Sequence, residues 1–499
     1  MFDGLDPEAL PPAGDAAVVD AVGGWARGEN AAAARRLAAI GELVARRCPV
    51  GVDDPDVVDE RLRWSCDRWD ATAAEVGAAL GISARRASSQ MYLAQSLRER
   101  LPRVNTLFLA GRIGARLVAT ISWRTHCVVG TAEMAAIDAE IADAAQCWGP
   151  LPDRRVETLI DAAVDAHDPQ ARTWFLEAAR GMDVQFGKPD DDSGTRSVWG
   201  RLFATHAELI ERRLTAMARA VCDADPRPIG QRRAEALGAV FAGAEGIVCR
   251  CGASDCRYPA GAARKESQEE SLKEHVVIHV VADEEAVEHA RGEAAAAAQG
   301  RRSPHTPEPR RRALMTNGGV IPNPLLEQLI RDGAQIVPLI TPCEQAEARY
   351  RPSTPLQRFV RCRDLTCRFP GCDAPAEGCD IDHAIRYPLG PTHPSNLRCL
   401  CRKHHLLRTF WVGEGGWRDR QLPDGTIIWT APTGHTYITH PGARIHFPGW
   451  DTSTGALAGI DSAACTPGWR ASCVPRRRRT REVDRARRIK NRRAYRDTS

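Results

Sequence analysis

Residues 367–405 read CRFPGCDAPAEGCDIDHAIRYPLGPTHPSNLRCLCRKHH. Cys367 and Cys372 form a C-x4-C pair, and Cys401 and His404 form a C-x2-H pair about thirty residues further on, the two-knuckle pattern that tetrahedral zinc requires. A zinc ion closed by four protein ligands leaves no position for water. The remaining polar residues of the stretch, Asp382, His383, Asn396 and His405, are therefore not needed to hold it and point to chemistry beside the cage. CDID alternates with period two, which predicts a short strand; Pro388, Gly390, Pro391 and Pro394 then impose a loop. Ser395 is a good N-cap, and Leu397, Leu400, Cys401 and His404 recur at helical spacing, which predicts a helix with Cys401 and His404 on one face. His405 lies about 100° further round that helix, free to serve a different site. Cys362, Cys379 and Cys399 are surplus thiols, any of which could replace one of the four ligands.

The order His383, Asn396, His405 resembles the HNH nuclease family, whose module is a β-hairpin and helix gripping one divalent metal. The resemblance implies that His383 is the general base that takes a proton from water, a role suited to an imidazole of unperturbed pKa about 6.5. It implies further that Asp382 and His405 bind a catalytic Mg2+ or Mn2+, and that Asn396 braces the loop or joins the metal shell. Many HNH modules close their zinc with a second cysteine pair; here His404 stands in the fourth place and keeps the ligand chemistry. RPSTPLQRFVRCRDLTCRFPGC before the motif and GGWRDRQLPDGTIIWTAPTGHTY after it resemble actinobacterial proteins that join a C-terminal HNH domain to a large helical domain of unknown function. Pro423-Asp424-Gly425 is a turn between Trp417–Leu422 and Thr426–Thr430, predicting a trailing hairpin whose tryptophans, with Trp411, are core. A purely structural zinc knuckle, with His383 and Asn396 as turn residues, is the competing reading.

The chain has 499 residues, 43% of them apolar, enough for ordinary cores. No run approaches the roughly 20 apolar residues of a membrane span. The start, MFDGLDPEAL, is acidic where a secretory signal is basic and then apolar, so the 17 cysteines read as reduced thiols of a cytoplasmic protein. A net charge of +4 hides an asymmetry: residues 476–499 carry 12 Arg or Lys against 3 Asp or Glu, which leaves the first 475 residues at −5. That tail, beginning Arg476, Arg477, Arg478, Arg479, is expected to be a disordered basic arm that contacts DNA phosphates.

Upstream, Ala31–Cys48, Asp56–Trp69, Ala71–Leu101, Glu133–Gln146 and Glu208–Cys222 read as helices, Met182–Phe186 with Ser197–Phe203 as a hairpin, and His275–Ala282 as a strand. Gly81 before Ser83, with Arg85 and Arg86 opening the next helix, outlines a helix-turn-helix, an outline that any tight helical hairpin shares. CRCGASDC brings Cys249, Cys251 and Cys256 close together, but with no fourth ligand evident it reads as a loop with reduced thiols. Residues 283–318 have linker composition, and beyond them Asn323–Ile330 reads as a helix and Gln335–Ile340 as a strand.

The expected architecture is α+β and multidomain: a mainly helical domain over 1–282, a flexible linker over 283–318, a connecting αβ segment over 319–355, a ββα-metal module with zinc knuckle and trailing hairpin over 356–447, and a basic tail over 448–499. The expected function is a metal-dependent HNH endonuclease hydrolysing DNA phosphodiesters, with a structural zinc beside the catalytic metal. The alternatives are a non-catalytic zinc-containing nucleic-acid-binding or regulatory protein, and a zinc-stabilised interaction protein that binds no nucleic acid.

Overall fold

The structure, a computed structural model, describes residues 10–11, 14–48, 64–146, 148, 151–171, 183–190, 195–202, 204–251, 253, 256, 280–298, 313–315, 319–321, 323–331, 333–342, 345–411, 416–455, 475–476, 480–481 and 483–484. Two compact units emerge, and they do not follow the expected order of domains. Residues 1–179 and 336–499 make one unit, and residues 180–335 make the other.

The first unit opens with helices α1 (Asp15–Arg47), α2 (Arg68–Leu80), α3 (Ala84–Glu99), α4 (Pro102–Leu109), α5 (Ala115–Arg124), α6 (Thr131–Ala145) and α7 (Asp153–His167). Ala34, Leu37, Ile40 and Val44 of α1 recur at helical spacing and pack with Met91 and Leu97 of α3, Phe108 of α4, Ile121 of α5 and Ile137 and Ile141 of α6 in one apolar core. Helix α4 starts at Pro102 with no cap from its own N-terminal residue. Its first amides are met instead by Asp138 of α6, whose carboxylate accepts from Arg103 N at 2.8 Å and Val104 N at 3.0 Å. The helical stretch over Ala71–Leu101 breaks at Gly81, where the helix-turn-helix outline places a turn; Gly81 caps α2 in the left-handed region at φ 63°. Of the helix expected over Asp56–Trp69, residues before 64 lie outside the described set, and the helix proper begins at Arg68.

A second core in the same unit draws residues from both ends of the chain. Trp64, Cys66, Ala74 and Ala78 pack with Leu356, Phe359, Phe369, Leu397, Leu407, Trp411, Trp417 and Trp429. Trp411 meets Trp64 edge-on at 5.9 Å and donates its indole N–H to Cys66 O at 2.9 Å. Asp70 receives Lys403 Nζ at 2.8 Å and Arg481 Nη2 at 2.8 Å, while Asp67 receives Arg481 Nε at 3.0 Å. Trp64 and Arg476 form a β-bridge. Of the described tail residues, Pro475 and Arg476 pair with residues 64–65 and Arg481 with Asp67 and Asp70 at the start of α2; Arg477, Arg478 and Arg479 lie outside the described residues.

Gly371, in the loop between Cys367 and Cys372, sits at φ 73°, and a Cβ there would stand 2.7 Å from Ile82 O and 3.0 Å from Gly77 O in the α2–α3 turn. Gly371→Ala therefore meets both backbone strain and a carbonyl contact that no rotamer relieves. A loss of about 1–3 kcal/mol is expected, read as a lower thermal midpoint with helical content unchanged.

The C-terminal part of this unit contains α-helix 354–364 (Thr354–Asp364), strands β6 (Cys379–His383) and β7 (Leu397–Cys401), a helix over Arg402–Phe410, and strands β8 (Arg418–Gln421), β9 (Ile427–Thr430) and β10 (Thr436–Thr439). Strand β6 pairs antiparallel with β7, placing Asp382 opposite Arg398 and His383 opposite Leu397. Residues 397–401 are therefore strand where helix was expected. The apolar spacing fits either state, and the backbone of β6 supplies the partner that decides it. The helix begins after Cys401, so Cys401 is its N-cap and His404 lies in its first turn. The expected hairpin forms as β8–β9, and β10 extends it to three strands. Beneath the β6–β7 pair, buried Arg363 donates to Pro394 O at 2.8 Å and Leu397 O at 2.7 Å, and buried Asp364 accepts from Cys399 N at 2.8 Å, fixing helix 354–364 to β7. Gln335–Ile340, expected as a strand, is irregular and exposed.

The second unit contains the antiparallel pair β1 (Asp183–Asp190) and β2 (Thr195–Arg201), helices α8 (Ala204–Arg219) and α9 (Ile229–Phe241), and a three-stranded sheet of β3 (Val280–Ala282), β4 (Ala313–Met315) and β5 (Gly319–Val320). The sheet is packed by helices α10 (Glu284–Ala298) and α11 (Asn323–Arg331). Helix α10 occupies what was expected to be linker. Its alanines favour helix, and Asp283 caps it by accepting from Ala286 N at 2.7 Å. Of the strand expected over His275–Ala282, residues 275–279 lie outside the described set.

Candidate active site and metal-ligand groups

Strand β6 and the helix over 402–410, here α13 after α12 (Thr354–Asp364), bring Asp382 to His405, and His383 follows Asp382 at the end of β6. Asp380 and Asp382 are two apart on β6 and project toward the same face, where His405 bridges them: its Nδ1 is 2.8 Å from Asp380 Oδ2, and its Nε2 is 3.6 Å from Asp382 Oδ1. The contact with Asp380 orients the His405 ring so that Nε2 faces Asp382. Asp380 was not singled out from the sequence, although the alternation of CDIDH carries the signal.

His383 is buried, with Nε2 3.0 Å from Thr392 Oγ1 and its ring stacked on Tyr350 at 5.3 Å. The single proton of the Thr392 hydroxyl goes to Arg349 O, so the hydroxyl accepts from Nε2–H and leaves the lone pair on Nδ1. Burial lowers the imidazole pKa; the charge of Asp382 opposes this, and Arg408 adds to it. The neutral, proton-accepting form is favoured. Asn396 spends its side chain on the loop: Oδ1 accepts from Ile385 N at 2.7 Å, while Nδ2 donates to Ile385 O and Pro391 O, both at 2.9 Å. Of the two roles left open for it, the geometry matches the brace.

Asp382 also contacts two guanidinium groups, Arg398 Nη2 at 3.2 Å and Arg408 Nη1 at 3.4 Å, and both arginines reach Asp419 of β8. Burial of its side chain pushes the Asp419 carboxyl up, but the charges of Arg398 and Arg408 outweigh it and hold the group at about 2. A folded value below the unfolded one means stability that is present above about pH 4 and lost as pH falls toward 2, worth about 2 kcal/mol. Asp419→Asn is expected to flatten the acid limb of a stability–pH curve over that window, as measured by denaturant unfolding.

Cys367, Cys372, Cys401 and His404 place their ligand atoms within 4.8 Å of one another. His404 Nδ1 lies 3.5 Å from Cys367 Sγ and 3.4 Å from Cys401 Sγ, and the sulfurs of Cys372 and Cys401 are 4.0 Å apart. Ligands about 2.3 Å (sulfur) and 2.0–2.1 Å (nitrogen) from one tetrahedral ion would be separated by about 3.6–3.8 Å. The four residues could hold a metal such as zinc. His404 Nε2 is buried without a hydrogen-bond partner, and Phe369 stacks on the ring at 4.0 Å. The ring is thus oriented by packing and by whatever Nδ1 binds. Of the surplus thiols, Cys379 turns to Pro375 O at 3.2 Å and Cys399 to Val360 O at 3.9 Å; neither they nor Cys362 belong to the group. A second group lies in the other unit, where Cys222 joins Cys249, Cys251 and Cys256 within the same limit. The reading of CRCGASDC as a loop without a fourth ligand is thereby corrected.

A family model described as a domain of unknown function, DUF222, matches residues 25–364. The chain belongs to the DUF222 family. Among its relatives, Uncharacterized protein Rv3776 of Mycobacterium tuberculosis (strain ATCC 25618 / H37Rv) is 50% identical over 497 residues, covering 98% of this chain and 92% of that protein. Uncharacterized protein Rv2100 of the same strain is 49% identical over 512 residues, covering 99% and 90%. No solved structure matches the chain. The DUF222 match ends at residue 364, just before Cys367, so the ligand group and the His383 cluster lie beyond it, within the span shared with these relatives. No helix of the described residues is long and apolar enough to cross a membrane.

Proposed function

We propose that this DUF222 protein is an HNH-type endonuclease that hydrolyses DNA phosphodiester bonds. The observations that support the proposal are a buried His383 whose neutral form burial favours and, on its neighbour Asp382, a contact with His405 at 3.6 Å. In this reading His383 accepts a proton from water at Nδ1, and the hydroxide so formed attacks phosphorus. The 3' oxygen leaves, giving a 5' phosphate and a 3' hydroxyl. Asp382 and His405 would hold one Mg2+ or Mn2+; when bound, such an ion stabilises charge on the phosphate and the departing oxygen. Asp380 orients His405, and Asn396 holds the loop that carries Thr392. Cys367, Cys372, Cys401 and His404 would hold a structural zinc that fixes the start of α13, and the basic tail from Arg476 onward would supply phosphate contacts.

One observation favours a second reading: Asp382 already has Arg398 and Arg408 as ionic partners, as a purely structural carboxylate would. A nucleic-acid-binding protein without catalysis is then the alternative. Incubation of the purified chain with plasmid and Mg2+, Mn2+ or EDTA, wild type beside His383→Ala, separates the two. Metal-dependent nicking that depends on His383 supports the nuclease; salt-sensitive binding with intact plasmid supports the alternative.

A further inference from the structure

Among the described residues of the 180–335 unit, the core around the β3–β5 sheet comprises Ala286, Ala290, Ala313, Ile321 and Leu326, three of them alanines. Phe186, Trp199 and Phe241 remain exposed. A disulfide or a metal would add to so small a described core.

The four cysteines stand where such a staple would act. Cys222 follows the end of α8, and Cys249, Cys251 and Cys256 follow α9, so sulfurs from two separate turns converge. All four ligand atoms lie within 4.8 Å of one another. Cys222 and Cys249 are 3.3 Å apart, well beyond the roughly 2.05 Å of a disulfide and near the roughly 3.8 Å of two sulfurs on one zinc. The flanking backbone is fixed independently of any ion. Buried Asp225 accepts from Arg250 N at 2.9 Å, and Arg227 pairs with Asp225 and donates to Val248 O at 2.6 Å. Those contacts tie the segment after Cys222 to both sides of Cys249.

We propose that Cys222, Cys249, Cys251 and Cys256 form a second, all-thiolate structural zinc site that joins α8 to the loop after α9. Thiolate donors at tetrahedral spacing select zinc over hard ions such as Mg2+, and the four thiols release their protons as they bind. The site is independent of the nuclease reading and of the Cys367 group.

The test is elemental analysis of the full chain, purified under reducing conditions, as wild type, Cys222→Ser, Cys222→His and Cys367→Ser. Each metal group contributes about one equivalent, so wild type carries about two; Cys222→Ser loses one, Cys222→His retains it through an accepted zinc donor, and Cys367→Ser loses only the other. A wild type whose zinc is unchanged by Cys222→Ser, or whose four cysteines are found as two disulfides by mass spectrometry, overturns the proposal. If Cys222→Ser is insoluble while Cys222→His is soluble and zinc-replete, the requirement for a metal ligand at this position is supported. If both are soluble and equally loaded, it is refuted. Loss of zinc from the Cys367 group alone bears only on the function proposed above.

Discussion

Replacing His383 with alanine is expected to lower metal-dependent plasmid cleavage by about 10²–10⁴-fold, the usual contribution of a positioned general base. Zinc content and the thermal midpoint should stay close to wild type, because His383 contributes a hydrogen bond to Thr392 and ring contacts with Tyr350 and Tyr387. The pH dependence supplies a second readout. A base acts only when unprotonated, and burial lowers the pKa of His383. Wild-type rates should therefore rise through a midpoint below the ordinary histidine value of about 6.5 and be level at neutral pH. The residual activity of His383→Ala should lack that limb. Cleavage equal to wild type in a folded variant would remove His383 from the reaction.

Removing the zinc proposed for the Cys367 group is expected to have the largest effect on stability. Structural zinc sites bind with apparent free energies of about 10–16 kcal/mol in small peptides, comparable to the whole stability of a domain at about 5–15 kcal/mol. Cys367, Cys372, Cys401 and His404 tie the loop before β6 to the start of α13, and Phe369 between them packs against Trp417 and Trp429. Cys367→Ser, or stripping with a strong chelator, should release about one equivalent of zinc and make residues 356–447 sensitive to protease at temperatures the wild type resists. Unchanged zinc and unchanged protease resistance would show that these four residues hold no metal.

The local parts of this architecture were legible in the sequence. Pro423-Asp424-Gly425 marked the β8–β9 hairpin, and Gly81 marked the break between α2 and α3, because turns are written in the residues that make them. The Cys367 group was legible because its four ligands come as two short-range pairs. What could not be read was decided by distant partners. Leu397–Cys401 has apolar spacing compatible with helix or strand, and only β6 settles it. Cys222 is 27 residues from Cys249 and has no cysteine nearby to announce it. Thr392, which sets the proton on His383, and Asp419, which shares Arg398 and Arg408 with Asp382, carry no motif. Residues 284–298 were misjudged on composition, since an alanine-rich run between polar stretches suits a capped helix as well as a linker.

The joining of Cys66 and Trp411 across 345 residues has a consequence for synthesis on the ribosome. At about 5–20 residues per second, the partner emerges roughly 17–70 s after Cys66 does. For that interval Trp64, Cys66, Ala74 and Ala78 have no module to cover them, although the helices of the first core are complete once residue 171 has emerged. The nascent chain therefore carries an open apolar strip for most of its translation, and this body closes only when its last third arrives.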